Sequence, residues 1–346
     1  MNIIDFFLIF IFTIFSILMM RPIAFRFDLI DVPNERKVHQ GRIPLVGGIA
    51  MFSATTFGIL LFNGTTFQNS YFFFVISSFI LIVLGVWDDY KHLSPKTRFI
   101  FQTISALVII LLGDVVLLNL GSLVSNENIQ LGYFAILFTV FCILGVINSL
   151  NFSDGIDGLS ASLSLVTFLS IAFFILRSND NTSLDFVAYF IFSILGFLVF
   201  NIGLGKNSKY KIFMGDAGST FLGLGIAYSL IYFSQTSNAL FSPVTALWIY
   251  SIPLIDTASI MIRRINNRRS PFSPDREHLH HLFILIGWSD RKTLFFIIFL
   301  SLLMALIGIC FEVNELSERL MFLLFICIAF IYYFTLNFAW KALRQN

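Results

Sequence analysis

Apolar residues along this chain neither alternate nor keep to one helical face. They continue for about twenty residues at a time between short polar breaks. A helix of that length spans the roughly 30 Å hydrocarbon core of a bilayer. Eleven such runs can be placed, at 2–20, 44–62, 71–87, 99–117, 132–149, 159–176, 186–204, 218–234, 244–262, 293–311 and 319–340. A soluble fold would need all of these helices to be apolar on every side, with no solvated face. The pattern therefore predicts an all-α integral membrane protein with about 11 transmembrane helices in one polytopic domain, 1–346. The largest piece outside the spans is the loop 263–292, and its apolar stretch from His281 to Ile286 reads as interfacial.

Composition agrees: 57% of residues are hydrophobic and 12% charged, against about 25% charged in soluble domains. The net charge of +2 conceals an asymmetry that sets the topology. With the N-terminus outside and the C-terminus cytoplasmic, 20 of the 22 Lys and Arg residues fall in inside loops or the tail, and only Arg177 and Arg319 fall outside. The first run is not a cleavable leader, since no basic residue precedes it and Arg21 and Arg26 follow it. Cys142, Cys310 and Cys327 all lie in apolar runs, which offers neither a disulfide framework nor metal-ligand spacing.

That orientation puts the chemistry-bearing residues on the cytoplasmic side. Asp88 and Asp89 end the third span; Asn148 to Gly158, with Asn151, Asp154, Gly155 and Asp157, joins the fifth and sixth. Met214-Gly215-Asp216-Ala217-Gly218 opens the eighth, and Asp275 to His281 occupies the large loop. Paired carboxylates with an asparagine are hard oxygen ligands, and Mg²⁺ takes one or two carboxylates plus substrate phosphates. The sixth and eighth spans would turn their positive helix ends toward the same region. Ser94-Pro95 reads as an N-cap with proline in the first turn of the fourth span, beside Lys96 and Arg98.

Each feature has a plainer reading when taken singly. Asp154-Gly155 and Asp157-Gly158 are turn formers, and Asp88-Asp89 can be two solvated acids at a boundary. His278, His280 and His281 lack a fourth ligand for zinc. Lys206 after Gly205 is not a P-loop, because Phe200 and Asn207 stand where that motif needs Gly and Ser or Thr. Asp256 has Arg263 and Arg264 as candidate ion-pair partners and receives no role. The convergence of the motifs on one face is what points to phosphate chemistry.

At His39 to Gly48, Asp88-Asp89, Asn151 to Gly158, Lys211 to Ser219, Ser242 to Ile249 and Ser270 to His281, the chain resembles the polyprenyl-phosphate N-acetylhexosamine-1-phosphate transferase superfamily, glycosyltransferase family 4. The likeness runs from about residue 20 to residue 295, with the motifs in the same order and spacing. It implies transfer of a sugar 1-phosphate, GlcNAc 1-phosphate first among the choices, from a UDP-sugar to undecaprenyl phosphate in the bacterial cytoplasmic membrane. By position it implies Asp216 and Asn151 as Mg²⁺ ligands, with Mn²⁺ as a substitute ion, and Asp88, Asp89, Asp154, Asp157 and His278 as catalytic. Lys96, Arg98, Asn148, Gly155, Phe213, Arg276, His280 and His281 would bind substrate. The partners are the UDP-sugar, the lipid phosphate and the bilayer, with no nucleic acid and homodimerisation left open.

Two departures bear on the substrate. His92 stands where some relatives carry a further acid, and His278-Leu279-His280-His281 differs from the three consecutive histidines of the MurNAc-pentapeptide enzymes. The second argues against the peptidoglycan precursor, while QuiNAc and FucNAc donors stay open, as does a covalent two-step route. The rival from another class is an ion-coupled transporter. It would place acids and broken helices near the bilayer midplane, whereas these acids gather at one face.

Overall fold

The computed structural model describes residues 3–32, 41–62, 69–178, 183–202, 209–235, 239–271 and 277–345. The chain is a helical membrane bundle, because within a bilayer every backbone N–H and C=O must find its partner inside the segment. The helices are α1 (Ile3–Arg26), α2 (Gly47–Phe62), α3 (Asn69–Lys91), α4 (Pro95–Gly113), α5 (Ala135–Ser153), α6 (Leu159–Ser178) and α7 (Leu184–Asn201). There follow α8 (Gly215–Gln235), α9 (Pro243–Ile249), α10 (Ser251–Asn266), α11 (Leu279–Leu285), α12 (Asp290–Val313) and α13 (Glu318–Gln345). Among the described residues nine of these are long and apolar enough to cross a membrane: α1, α3 to α8, α12 and α13. The predicted second run is a shorter apolar helix, α2, of 16 residues.

The predicted ninth run is not one straight helix. It breaks at Tyr250 into α9 and α10, which meet at 85°. Pro253 supplies the reason: it has no N–H to give the carbonyl of Ile249, and its ring clashes there, so the helix restarts at Ser251 with proline in its first turn. Hydropathy is blind to this, since proline scarcely alters the apolar count.

α8 is the axis of the bundle, with 94% of its most apolar stretch buried against 17% for α13. It packs on α2, α3, α5, α6 and α9. Small residues make that possible, as lipid-embedded helices gain from close backbone approach rather than from hydrophobic transfer. A methyl on Gly48 of α2 would lie 2.2 Å from the backbone N of Gly218, and one on Gly85 of α3 would lie 2.2 Å from Cα of Ala217. An aromatic cluster of Phe74, Phe186, Phe190, Phe221 and Tyr228 joins α3, α7 and α8 deeper in. Ser77 and Ser105 tie α3 to α4 by a 2.6 Å hydrogen bond between their hydroxyls.

The start of α8 is held by backbone as well. Strands β1 (Ile30–Asp31) and β2 (Ile43–Pro44) pair antiparallel, and the chain leaving β2 continues against the approach to α8. Phe213 N–H donates to Pro44 O (2.9 Å), Gly47 N–H to Phe213 O (3.0 Å) and Gly48 N–H to Met214 O (3.0 Å). The segment bearing Asp216 is therefore fixed before any side chain is considered.

Candidate active site

Five helix ends meet at one end of the bundle. α3 closes on Asp88, whose Oδ1 accepts from Leu93 N–H (2.7 Å) while Oδ2 lies 3.3 Å from Arg98 Nε. His92 makes the tight exit with φ +51°, and Ser94 caps α4 by accepting from Thr97 N–H at 3.2 Å. The cap and Pro95 stand where the residue pattern places them. One helical turn on from Arg98, Gln102 faces the same way.

Asp89 reaches across to α8, where its Oδ1 accepts from Asp216 N–H at 2.9 Å. It thereby satisfies an orphan donor of that helix start from another helix. Its Oδ2 is buried and has no hydrogen-bond partner among the described residues. Gly215 permits the approach: its φ is +72°, and a Cβ there would meet Asp89 Oδ2 at 2.4 Å. Asp216 Oδ1 accepts from Asn151 Nδ2 at 2.7 Å, and the same amide also donates to Ser219 Oγ at 2.8 Å. In this arrangement Asn151, implied by the resemblance as a metal ligand, orients the Asp216 carboxylate. Asn148 is turned to Gln102 Oε1 (2.8 Å).

These side chains line a small cleft between α3, α4, α5 and α8, walled by Asp88, Arg98, Gln102, Asn148, Asn151, Asp216 and Thr220. Asp88 and Asp89 both feel the charge of Asp216, and Arg98 is the cation in the lining. Among the described residues no three acids or imidazoles surround a common point at metal-ligand distance. The donor set still fits a hard divalent ion: three mutually repelling carboxylates, one with an orphan buried oxygen, accommodate a cation that draws its remaining ligands from phosphate.

Beside the cleft, the turn after α5 carries Asp154 and Asp157. Ser160 Oγ donates to Asp154 (2.6 Å). Crowding by protein atoms around the carboxyl of an otherwise exposed residue, with smaller repulsion from Asp216 and Asp157, pushes Asp154 up to about 6 despite that bond. Asp157 is paired with Lys211 at 2.5 Å, and Lys211 Nζ stands 5.2 Å from the centre of the Phe213 ring. The histidine segment leans on the same turn. The ring of His278 lies 5.7 Å from that of Phe152, His280 lies 5.9 Å from His278, and His281 lies 4.1 Å from His280. A Cβ on Gly155 would sit 2.0 Å from His280 Nε2, so only glycine lets the two motifs touch.

Placement departs from expectation at several residues. Lys96 is exposed in the first turn of α4, two positions from Arg98 and hence on another face, and the cleft lining does not include it. Asp256 does not pair with Arg263 or Arg264: it binds His278, while Arg263 pairs with Glu277 at 3.2 Å. The α9–α10 bend and the return of the chain at 277–279 override nearness in sequence. Arg276, His39 and Lys206 lie outside the described residues. Sequence reasoning passed over Gln102, Thr220 and Lys211. Gln102 had a signal, a polar residue four positions from Arg98 within an apolar run.

The model for glycosyl transferase family 4 matches residues 71–234, the stretch from α3 to the end of α8. The undecaprenyl-phosphate alpha-N-acetylglucosaminyl 1-phosphate transferase of Escherichia coli K12 is 38% identical over 341 residues, which cover 97% of this chain and 91% of that protein. The chain belongs to glycosyl transferase family 4. The transferase of the same name from Haemophilus influenzae is 37% identical over 330 residues, 95% of this chain and 92% of the relative. The family match ends before α9, whereas the likeness to both relatives continues beyond it. The bent helix pair with Asp256, and the histidine segment that opens α11, lie in that further stretch.

Proposed function

We propose that this chain transfers N-acetylglucosamine 1-phosphate from UDP-GlcNAc to undecaprenyl phosphate and releases UMP, the step that starts a cell-surface glycan. The observation that carries the reading is the cleft in which Asp88 and Asp216 face Arg98, with Asp89 bonded to the start of α8 beside it, at the helix ends of a membrane bundle. The near full-length likeness to transferases named for that reaction supports the substrates. On this reading the cleft opens to the cytoplasm, with eleven crossings, the N-terminus outside and the whole in the bacterial cytoplasmic membrane. The distribution of basic residues supports that orientation.

The lipid phosphate oxygen attacks the β-phosphorus of the donor, a new P–O bond forms there, and the bond to the bridging oxygen breaks so that UMP leaves with that electron pair. Mg²⁺, held by Asp216 with Asp88 or Asp89, would offset the charge that gathers on the phosphates as this bond breaks. Arg98 and the start of α8 draw the diphosphate in, while Asp157 with Lys211 and Phe213 form the side that takes the nucleoside. Asp88 is not required as a strong base. A phosphate monoester has its second pKa near 6 and is mostly ionised at pH 7, so deprotonation adds about tenfold at most. Its bond to Arg98 gives it a placing role instead.

The test is label transfer by detergent-solubilised protein given UDP-[³H]GlcNAc, undecaprenyl phosphate and Mg²⁺. Label in the organic phase matched by UMP, lost with EDTA and nearly lost in Asp216→Ala, is the expected result. UMP release with a different UDP-N-acetyl sugar only would overturn the sugar assignment. No transfer from any donor by folded protein would overturn the reaction.

A further inference from the structure

His278 stands beside Phe152 near the end of α5, and a buried carboxylate from elsewhere in the fold holds it there. Asp256 lies on α10, six residues past the bend, and is 5% exposed. An unpaired carboxylate in such surroundings costs several kcal/mol, so its partners define why it is tolerated. Three donors converge on it. His278 Nδ1 is 2.8 Å from Oδ2, Leu279 N–H gives a 3.2 Å bond to Oδ1, and the Tyr332 hydroxyl donates to Oδ1 at 2.8 Å. The carboxylate grips the ring of His278 and the backbone directly after it, so both the side chain and the start of α11 are set by one group. Tyr332, on α13, holds the carboxylate from behind. The rings of Phe152 and His280 flank that of His278 at 5.7 and 5.9 Å.

We propose that Asp256, braced by Tyr332, is a positioning residue for the transfer reaction: it binds Nδ1 of His278 and so turns Nε2 toward the sugar-diphosphate of the donor. Histidines that act through one nitrogen commonly have the other fixed by a carboxylate, and loss of such a partner costs about 10- to 100-fold. The inference rests on the proposed transfer reaction and on the reading of His278 as one of its catalytic residues. It adds why a carboxylate is buried on the bent helix and why α13, remote from the other motifs in sequence, bears on the chemistry.

A double-mutant cycle decides it. Asp256→Asn is expected to lower kcat about 10- to 100-fold with less than about a twofold change in KM for UDP-GlcNAc. In a His278→Gln background the same change is expected to lower kcat by less than about twofold. Tyr332→Phe gives a smaller kcat loss, again erased by His278→Gln, and keeps the cycle usable if Asp256→Asn does not fold. Losses that multiply in the double variants would make Asp256 a general structural clamp and overturn the proposal, as would a wild-type kcat in folded Asp256→Asn. If His278→Gln alone has no effect, the catalytic reading of His278 fails, an outcome separate from the other two.

Discussion

Replacing Gly85 by alanine puts one methyl group between the two helices that carry the acids. Its Cβ would fall 2.2 Å from Ala217 Cα and 2.4 Å from Ala217 N, where ordinary contact begins near 3.4 Å. The atoms met are backbone, which cannot rotate away, so α3 and α8 must part by about 1 Å to accept the methyl group. Asp88 and Asp89 follow Gly85 within about one turn, and Asp216 adjoins Ala217, so the displacement falls between the carboxylates themselves. The 2.9 Å bond from Asp216 N–H to Asp89 is stretched beyond hydrogen-bonding length. A misplacement of about 1 Å costs roughly 100-fold in rate, while overpacking costs about 1–3 kcal/mol of stability.

The assay is initial-rate label transfer alongside thermal unfolding in detergent. Gly85→Ala should fold with a lowered midpoint and turn over about 100-fold more slowly. Gly145→Ala is the control: no atom lies within 4 Å of its Cβ on α5, and alanine there should be neutral or gain about 0.5–1 kcal/mol in helix stability. Gly85→Ala with more than a third of wild-type activity, in folded protein, would refute the claim that the α3–α8 approach sets the acid geometry.

Other residues yield distinct expectations. Glu277→Ala removes one carboxylate partner of buried Arg263, whose bond to the Glu277 carbonyl stays, and should lower the unfolding midpoint; an unchanged midpoint would mean that the other contacts of Arg263 hold it as well. Burial, with the neighbouring His281 and His278, pushes His280 down to about 3, so below about pH 6.5 the unfolded chain binds a proton that the fold refuses. Stability should then fall by about 1.4 kcal/mol per pH unit on acidification, and His280→Gln should flatten that slope; parallel slopes would exclude the imidazole as the cause. Asp157→Ala frees Lys211 and should raise KM for the UDP-sugar while leaving kcat within a few-fold; a pure kcat loss would move the pair from donor binding to chemistry.

The helices were legible because lipid solvation demands long unbroken apolar runs; most runs begin and end within about four residues of a helix, while α1 and α13 extend further and the ninth run is two helices. The cap at Ser94 was legible for a local reason: a serine before proline satisfies one helix end whatever lies around it. What stayed hidden depends on tertiary return. The bend at Tyr250 turns on a single missing N–H at Pro253, and that bend sends α10 toward the histidine segment. Asp256 has arginines seven and eight residues ahead on its own helix, yet the fold brings it His278 from 22 residues away and Tyr332 from 76.

The same distinction separates the three acids, which look alike in sequence. Asp88 spends one oxygen on the turn after its own helix and the other on Arg98. Asp89 spends one on the start of α8 and keeps the other buried against the same helix start. Asp216 is steered by Asn151. Mutation of Asp88 therefore releases a cation and a turn, mutation of Asp89 loosens the helix that carries Asp216, and mutation of Asp216 removes the carboxylate that the other two surround. Arg98 is the cation in the cleft lining and faces Asp88 and Asp216, with Asp89 bonded to the start of α8 beside them, so the cleft favours a divalent ion arriving with the diphosphate, which supplies the oxygens the protein does not. A donor lacking the diphosphate should then bind weakly whatever its sugar, and added Mg²⁺ should tighten UDP-GlcNAc far more than it tightens uridine. Equal effects of Mg²⁺ on both ligands would place the ion's role outside this cleft.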